Sequence, residues 1–166
     1  MISFDDHTAP ARQVKRGMDQ GCPVSAIAYQ YYNADLLEMV NCRNREDCVG
    51  FVDDTTVMAE GVNLHEAFDK LRDIMTRAAG ALEWADTHQC LFEVSKFGLM
   101  GLTRRREKDP GRPGRTRPAV RPSITIGHHT IKPTMTHKCL GVILDQELRF
   151  REHANYALKK GEKYIA

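Results

Sequence analysis

No apolar stretch in this sequence approaches the roughly 20 residues that a membrane-spanning helix needs, so none is expected. The first residues, MISFDDHTAPARQ, lack both the basic start and the apolar run of a signal peptide. Cysteine is scarce: five residues, none in paired spacing, which argues against a disulfide framework and suits free thiols in a reducing compartment. Nor is there a zinc pattern. His88-x-Cys90 and His137-x-Cys139 lack the C-x₂-C spacing of structural sites, and Cys42 and Cys48 lie too far apart for a knuckle. Cys90 and Cys139 are expected to fill strand positions in the core. No internal repeat is present.

Charge of one sign is nearly absent from the total, which is only +2. The sum hides an asymmetry. Segment 103–122, TRRREKDPGRPGRTRPAVRP, carries seven arginines and Lys108 against Glu107 and Asp109, a net +6 that leaves −4 for the remainder. Four of the seven prolines also fall there, so the segment is predicted to be an exposed loop of irregular structure. Arginine interleaved with proline, without aromatics, suits contact with a phosphate backbone and not base reading. A solvated loop kept soluble by its charge is the plainer alternative.

What is present is a globular composition, 42% hydrophobic and 28% charged, with residues enough for one ordinary domain. Residues 2–16 suggest an extended or hairpin segment with a turn near His7 to Pro10. RGMDQGCP is a polar loop, and Pro23 suits the first turn of a helix running on through VSAIAYQYYNADLLEMV. Tyr29, Tyr31 and Tyr32 belong to its core and surface faces. Asn63 and Glu66 form the N-terminal signature of a second helix, whose apolar face is predicted to run from Leu64 to Ala85. CLFEV and FGLMGL look like short strands, SITIGHHTIKP like a hairpin around Gly127-His128, and KCLGVILD like one buried strand. FREHANYALKKGEKYI reads as a closing helix with Phe150, Ala154, Ala157, Leu158 and Ile165 on one side. Helices and antiparallel strands in this order predict an α+β layer, a small antiparallel sheet with helices packed on one face.

The stretch 49-VGFVDDTTVMAE-60 places Asp53 and Asp54 between two apolar runs that form a tight hairpin. A turn rich in aspartate is commonly no more than a solvated tip. Carboxylates on a rigid turn can also hold Mg²⁺, which favours oxygen ligands and substrate phosphates. Upstream, 16-RGMDQGCPVS-25 brings a glycine-bearing loop to the start of a helix, where a backbone or a nucleotide can approach closely.

Together, RGxxQGCPxS before a helix and the 51-FVDD-54 hairpin resemble motifs B and C of a reverse transcriptase palm. EVSKFGLM at 93–100 resembles the motif D region, and HKCLGVILD at 137–145 resembles motif E. The order matches, and the nearest likeness is to polymerases of LINE-like (non-LTR) retrotransposons of fungal type. The division implied is a palm part with motifs B, C and D over 1–102, the basic loop over 103–122, and motif E strands with a helix over 123–166.

The resemblance implies template-directed addition of dNTPs to a primer 3′-OH by a two-metal mechanism, with RNA template, DNA primer and Mg²⁺ as partners. Asp53 would be the principal metal ligand, Asp54 the supporting carboxylate, and Lys96 a proton donor to departing pyrophosphate. Gln20, Gly21, Pro23, Ser25 and Phe51 would face template and nucleotide, and Leu140 and Gly141 would grip the primer. Arg104, Arg105, Arg106, Arg112, Arg115 and Arg117 would meet the nucleic-acid backbone. A complete palm also needs a motif A aspartate and a fingers region. Only 15 residues precede Arg16, and their Asp5 and Asp6 resemble the hairpin before motif B. The chain is therefore expected to be inactive alone, awaiting an upstream polymerase segment. A remnant that binds RNA or DNA through its arginines without catalysis is the alternative. The likeness also implies residence in the nucleus and no membrane partner.

Overall fold

A computed structural model of the chain describes residues 3–4, 7–8 and 21–165. Ten strands form five antiparallel hairpins: β1 (Ser3–Phe4) with β2 (His7–Thr8), β3 (Glu46–Phe51) with β4 (Asp54–Ala59), β5 (Arg106–Lys108) with β6 (Thr116–Pro118), β7 (Ile124–Ile126) with β8 (His129–Ile131), and β9 (Thr136–Cys139) with β10 (Val142–Asp145). The helices are α1 (Pro23–Tyr32), α2 (Ala34–Leu37), α3 (Leu64–Thr76), α4 (Ala81–Thr87) and α5 (Arg151–Ile165). The class is α+β. The single covered sheet expected from the sequence is instead five separate two-stranded ladders among the described residues.

Helix α3 starts as its sequence dictates. The Asn63 side-chain oxygen accepts the Glu66 N–H at 3.0 Å, and the Glu66 carboxylate reaches back to the Val62 N–H at 2.9 Å. Its inner face buries Ala67, Phe68 and Ile74. The helix does not continue to Ala85. Ala79 takes φ +56, and a Cβ on Gly80 would stand 2.5 Å from the Ile74 carbonyl oxygen. Glycine alone lets the chain pass that close to the end of α3, so the apolar stripe is split between two helices.

Two cores result. Ala67 and Phe68 of α3 pack with Leu99, Ile124 and Ile126, while Leu36 of α2 packs with Ala81, Trp84 and Ala85 of α4. Met75 borders both. Leu99 fills the first and Phe92 flanks the second, yet neither CLFEV nor FGLMGL forms a ladder. Val94–Lys96 is a 3₁₀ turn, and the Leu99 carbonyl accepts from the Thr134 amide instead. Their apolar residues serve docking, and that corrects the strand reading.

Three other expectations change. His7 and Thr8 lie in a strand and not in the predicted turn. KCLGVILD is a hairpin, turning at Leu140 (φ +46) and Gly141 (φ +87), the positive-φ pair that a tight reversal requires. Helix α5 docks on β10 by His153 and Tyr156, through an Ile143 N–H donated to His153 Nδ1 at 3.3 Å and Lys138 lying over the Tyr156 ring. Ala154, Ala157 and Leu158 face outward, because that hydrogen bond and cation contact orient the helix against its weak apolar stripe.

The junction of these parts is a charge. The Glu46 side chain, 0% exposed, receives Arg77 through both oxygens at 2.8 and 3.2 Å, together with the Asn41 N–H and the Asn44 amide. Arg77 also donates to the Met39 carbonyl. Burial alone would raise the Glu46 carboxyl; the hydrogen bonds from Arg77, Asn41 and Asn44 outweigh it and hold it down at about 2, from an ordinary 4.5. Because the folded value is the lower one, the unfolded chain takes up the proton first as pH falls. The stabilisation is complete above about pH 4.5 and is lost on descending through about pH 2, with a full size of about 3 kcal/mol. Glu46→Ala should cost about 3 kcal/mol in urea unfolding at pH 7, the size of that linkage, with Arg77 left to Asp73 and the Met39 carbonyl. Glu46→Gln should flatten the acid limb of the stability curve. A wild-type limb just as flat would show the pair to be energetically idle.

Candidate functional site

The β3–β4 ladder pairs Phe51 with Asp54, so Val52 and Asp53 form a two-residue turn. Val52 takes φ +55, a conformation that β-branched residues avoid, and the positive φ at the first turn position is that of a reversal matched to strand twist. Both aspartates are exposed, and neither forms an ion pair with a cation among the described residues. Along β4, Thr55, Val57 and Ala59 turn inward and the strand seats on α3. On β3, a Cβ at Gly50 would come within 3.2 Å of Leu37, so glycine lets that leucine of α2 lie across the strand. The carboxylates thus stand on a braced hairpin. The strand leading in is not buried as expected: Val49 and Phe51 are 48% and 58% exposed, because no third strand covers them among the described residues.

Helix α1 lies near this tip. The Tyr29 phenol is pushed up by burial first, then by the Cys90 thiol and the Asp53 carboxylate, which places Asp53 within electrostatic reach of that ring. Gln20 lies outside the described residues. Gly21 takes φ +87 with no described residue within 4 Å of where a Cβ would stand, Cys22 is the N-cap, Pro23 is the first helical residue, and the Ser25 N–H closes the turn onto the Cys22 carbonyl at 3.0 Å. The helix start lowers the Cys22 thiol, through the N–H groups of Ser25 and Val24. Tyr31 is outward, whereas Tyr32 donates to the His88 carbonyl at 2.6 Å and meets Trp84 edge-on.

Leu140 and Gly141, at the β9–β10 tip, are brought alongside the aspartate hairpin by a contact of 4.0 Å between Thr56 Oγ1 and Cys139 Sγ. Lys96 is not gathered in the same way. It is 77% exposed on its 3₁₀ turn, which packs on β8, and its ammonium pairs with Glu93.

The arginine segment departs furthest from its sequence reading. It is a hairpin and not an irregular loop, since Pro110 and Pro113 occupy the turn region and Pro118 ends a strand, where prolines cost no ladder bond. Arg104 donates to the Glu147 and Leu148 carbonyls, Arg105 to Val62, Arg106 to Thr116, and Arg117 to the Glu107 carboxylate. Arg121 holds the carbonyls of Gly101, Ala119 and Thr103. Of the six proposed backbone contacts, only the side chains of Arg112 and Arg115 have no internal partner among the described residues.

Two carboxylates with free oxygen lone pairs fit Mg²⁺, which takes one or two acids and completes its shell with water and phosphate. They do not make a closed cage: no cluster of three His, Cys, Asp or Glu residues suited to a metal occurs among the described residues. Compared with family models, curated proteins and solved structures, the chain matches none. The buried Glu46–Arg77 pair escaped the sequence reading, as two charges 31 residues apart carry no local signal.

Val52 is held in its turn by the surrounding ladder. Val52→Asn, which tolerates that φ, should stabilise the fold by about 1 kcal/mol in urea unfolding. A loss of stability would mean that the valine side chain contributes packing that outweighs its strain.

Proposed function

We propose that the chain is part of a reverse transcriptase palm, with the Asp53–Asp54 hairpin as its metal-binding edge and RNA-templated DNA synthesis as the reaction of the whole enzyme. The observation that carries the reading is two adjacent carboxylates at the tip of a braced hairpin, without a cation partner among the described residues. The ordered likeness of RGMDQGCPVS, FVDD, EVSKFGLM and HKCLGVILD supports it, as does the contact that brings the Leu140 hairpin beside the aspartates.

In that reaction the primer 3′-oxygen bonds to the α-phosphorus of a dNTP while the bond to pyrophosphate breaks. Bound Mg²⁺ would supply positive charge to both oxygens. Asp53 and Asp54 would hold the ions. Phe51, opposite Asp54 in the ladder and half-exposed, would offer an apolar edge beside them. Gly21 and the start of α1 would give template and nucleotide a surface without side-chain obstruction. Leu140 and Gly141 would bear on the primer end. Lys96 would protonate pyrophosphate only after leaving Glu93. The rival reading, a remnant binding through the basic segment, draws less support, since most of those arginines are spent on internal partners.

The proposal extends to a nuclear retrotransposon enzyme whose motif A lies upstream. Primer extension on an RNA template with Mg²⁺ tests it. This chain alone should add no nucleotides, and the chain joined to its upstream coding neighbour should add them. Asp53→Ala in the joined form should reduce the rate by at least about a thousandfold, the scale of losing a principal electrostatic group. Full extension by the Asp53→Ala form would remove the aspartates from the chemistry. In this chain alone, Mn²⁺ should broaden the amide resonances of residues 51–56, and Asp53→Ala should abolish the effect.

A further inference from the structure

An open cleft of about 480 Å³ lies at the start of α5, walled by Arg104, Leu148, Arg149 and Arg151. Three arginines and one leucine line it, with no acidic residue among them. The acids nearby are already committed. Glu147 pairs with the Arg149 Nε at 2.6 Å, and Asp145 accepts the backbone N–H groups of Glu147, Arg149 and Phe150 at 2.9, 2.8 and 2.6 Å. Arg104 uses Nε and one Nη to hold the Glu147 and Leu148 carbonyls, which leaves its other Nη free to donate. Arg151 has no internal side-chain partner among the described residues.

The backbone presenting these groups is bent and fixed. Leu148 (φ +51) and Phe150 (φ +56) flank Arg149 in a conformation that bulky side chains avoid, held there by the Asp145 carboxylate. Glu147 neutralises Arg149 alone, so the three arginines together keep an excess of positive charge that an entering anion would offset. A phosphate group, with several acceptor oxygens, matches planar forked donors better than a single-oxygen ligand does.

We propose that this cleft is a phosphate-binding site, taking a phosphate group of a polynucleotide backbone or free inorganic phosphate through Arg149 and Arg151, with Arg104 as the braced third donor. It does not rest on the aspartate pair, and its two principal donors, Arg149 and Arg151, lie outside the arginine-rich segment.

The test is fluorescence anisotropy of a labelled single-stranded oligothymidylate with the whole chain, titrated over salt. Arg149→Gln with Arg151→Gln should weaken binding about tenfold or more and reduce the slope of log affinity against log salt by about 1.4, two contacts' worth for a single strand. Arg43→Gln with Lys132→Gln removes the same charge from two exposed cations away from the cleft and should change affinity less than about twofold. Equal losses in the two double variants would reduce the cleft to general charge and overturn the proposal, as would no loss in either. Inorganic phosphate separates the two sources. If it raises the melting temperature of the wild type but not of Arg149→Gln with Arg151→Gln while oligothymidylate fails to bind, the site takes free phosphate. If neither ligand depends on these arginines, no phosphate site exists there. Arg151→Gln alone loses no internal bond, so its effect is read without a folding defect.

Discussion

The base of the aspartate hairpin is fixed to the rest of the fold at Glu46 and Arg77. Glu46 opens β3, Arg77 follows α3, and the same network takes in Asn41, Asn44 and the Met39 carbonyl. A carboxylate with no solvent exposure is tolerable only if its lone pairs are filled, and four donors fill them here. Apolar packing could not have performed the same task. The hairpin and α3 touch along a short line, and a directional bidentate pair fixes an angle where a few methyl groups would allow sliding. The two small cores lie on either side of this joint, and Met75 is the apolar residue that borders both.

Arginine plays a second structural part. Arg104, Arg105 and Arg121 together collect carbonyl groups from Val62, Gly101, Thr103, Ala119, Glu147 and Leu148. These carbonyls lie in the connections that flank the hairpins, outside any ladder or helix. Five separate ladders expose many such ends, and a guanidinium can serve several at once with fixed geometry. A run of arginines thus joins ladders that no continuous sheet unites among the described residues. Composition reports the charge of such a segment but not whether the charge is spent within the chain.

What the sequence made legible follows the range of each interaction. The start of α3 was readable because Asn63 and Glu66 act within one turn, and the Gly127 hairpin because its turn residues are adjacent. The antiparallel pairing of neighbours and the α+β class follow from the same local signals. The aspartate hairpin was readable, but not its register: the turn is Val52–Asp53, and Asp54 already belongs to β4. The end of α3 was not, because Ala79 and Gly80 break a stripe whose periodicity continues unbroken in the sequence. CLFEV looked like a strand because apolar density cannot separate ladder from docking. Arg149 and Arg151 went unremarked, lying outside the dense basic run, and only the folded turn at Leu148 brings them to Arg104.

The aspartate hairpin combines features that stability alone would not select. Its turn begins with a β-branched residue at positive φ, its tip exposes two like charges side by side, and the strand before it leaves Val49 and Phe51 uncovered. Each costs free energy in isolation, and none is compensated within the described residues by a cation or an apolar partner. Yet the base of the same hairpin carries the most heavily bonded charge in the structure. A segment kept rigid at its base and unfavourable at its tip is what a binding edge requires, because ligand and neighbouring surface then supply the missing partners. The cost at the tip and the reinforcement at Glu46 are therefore parts of one arrangement: strain at Val52 persists only because the ladder beneath it cannot give.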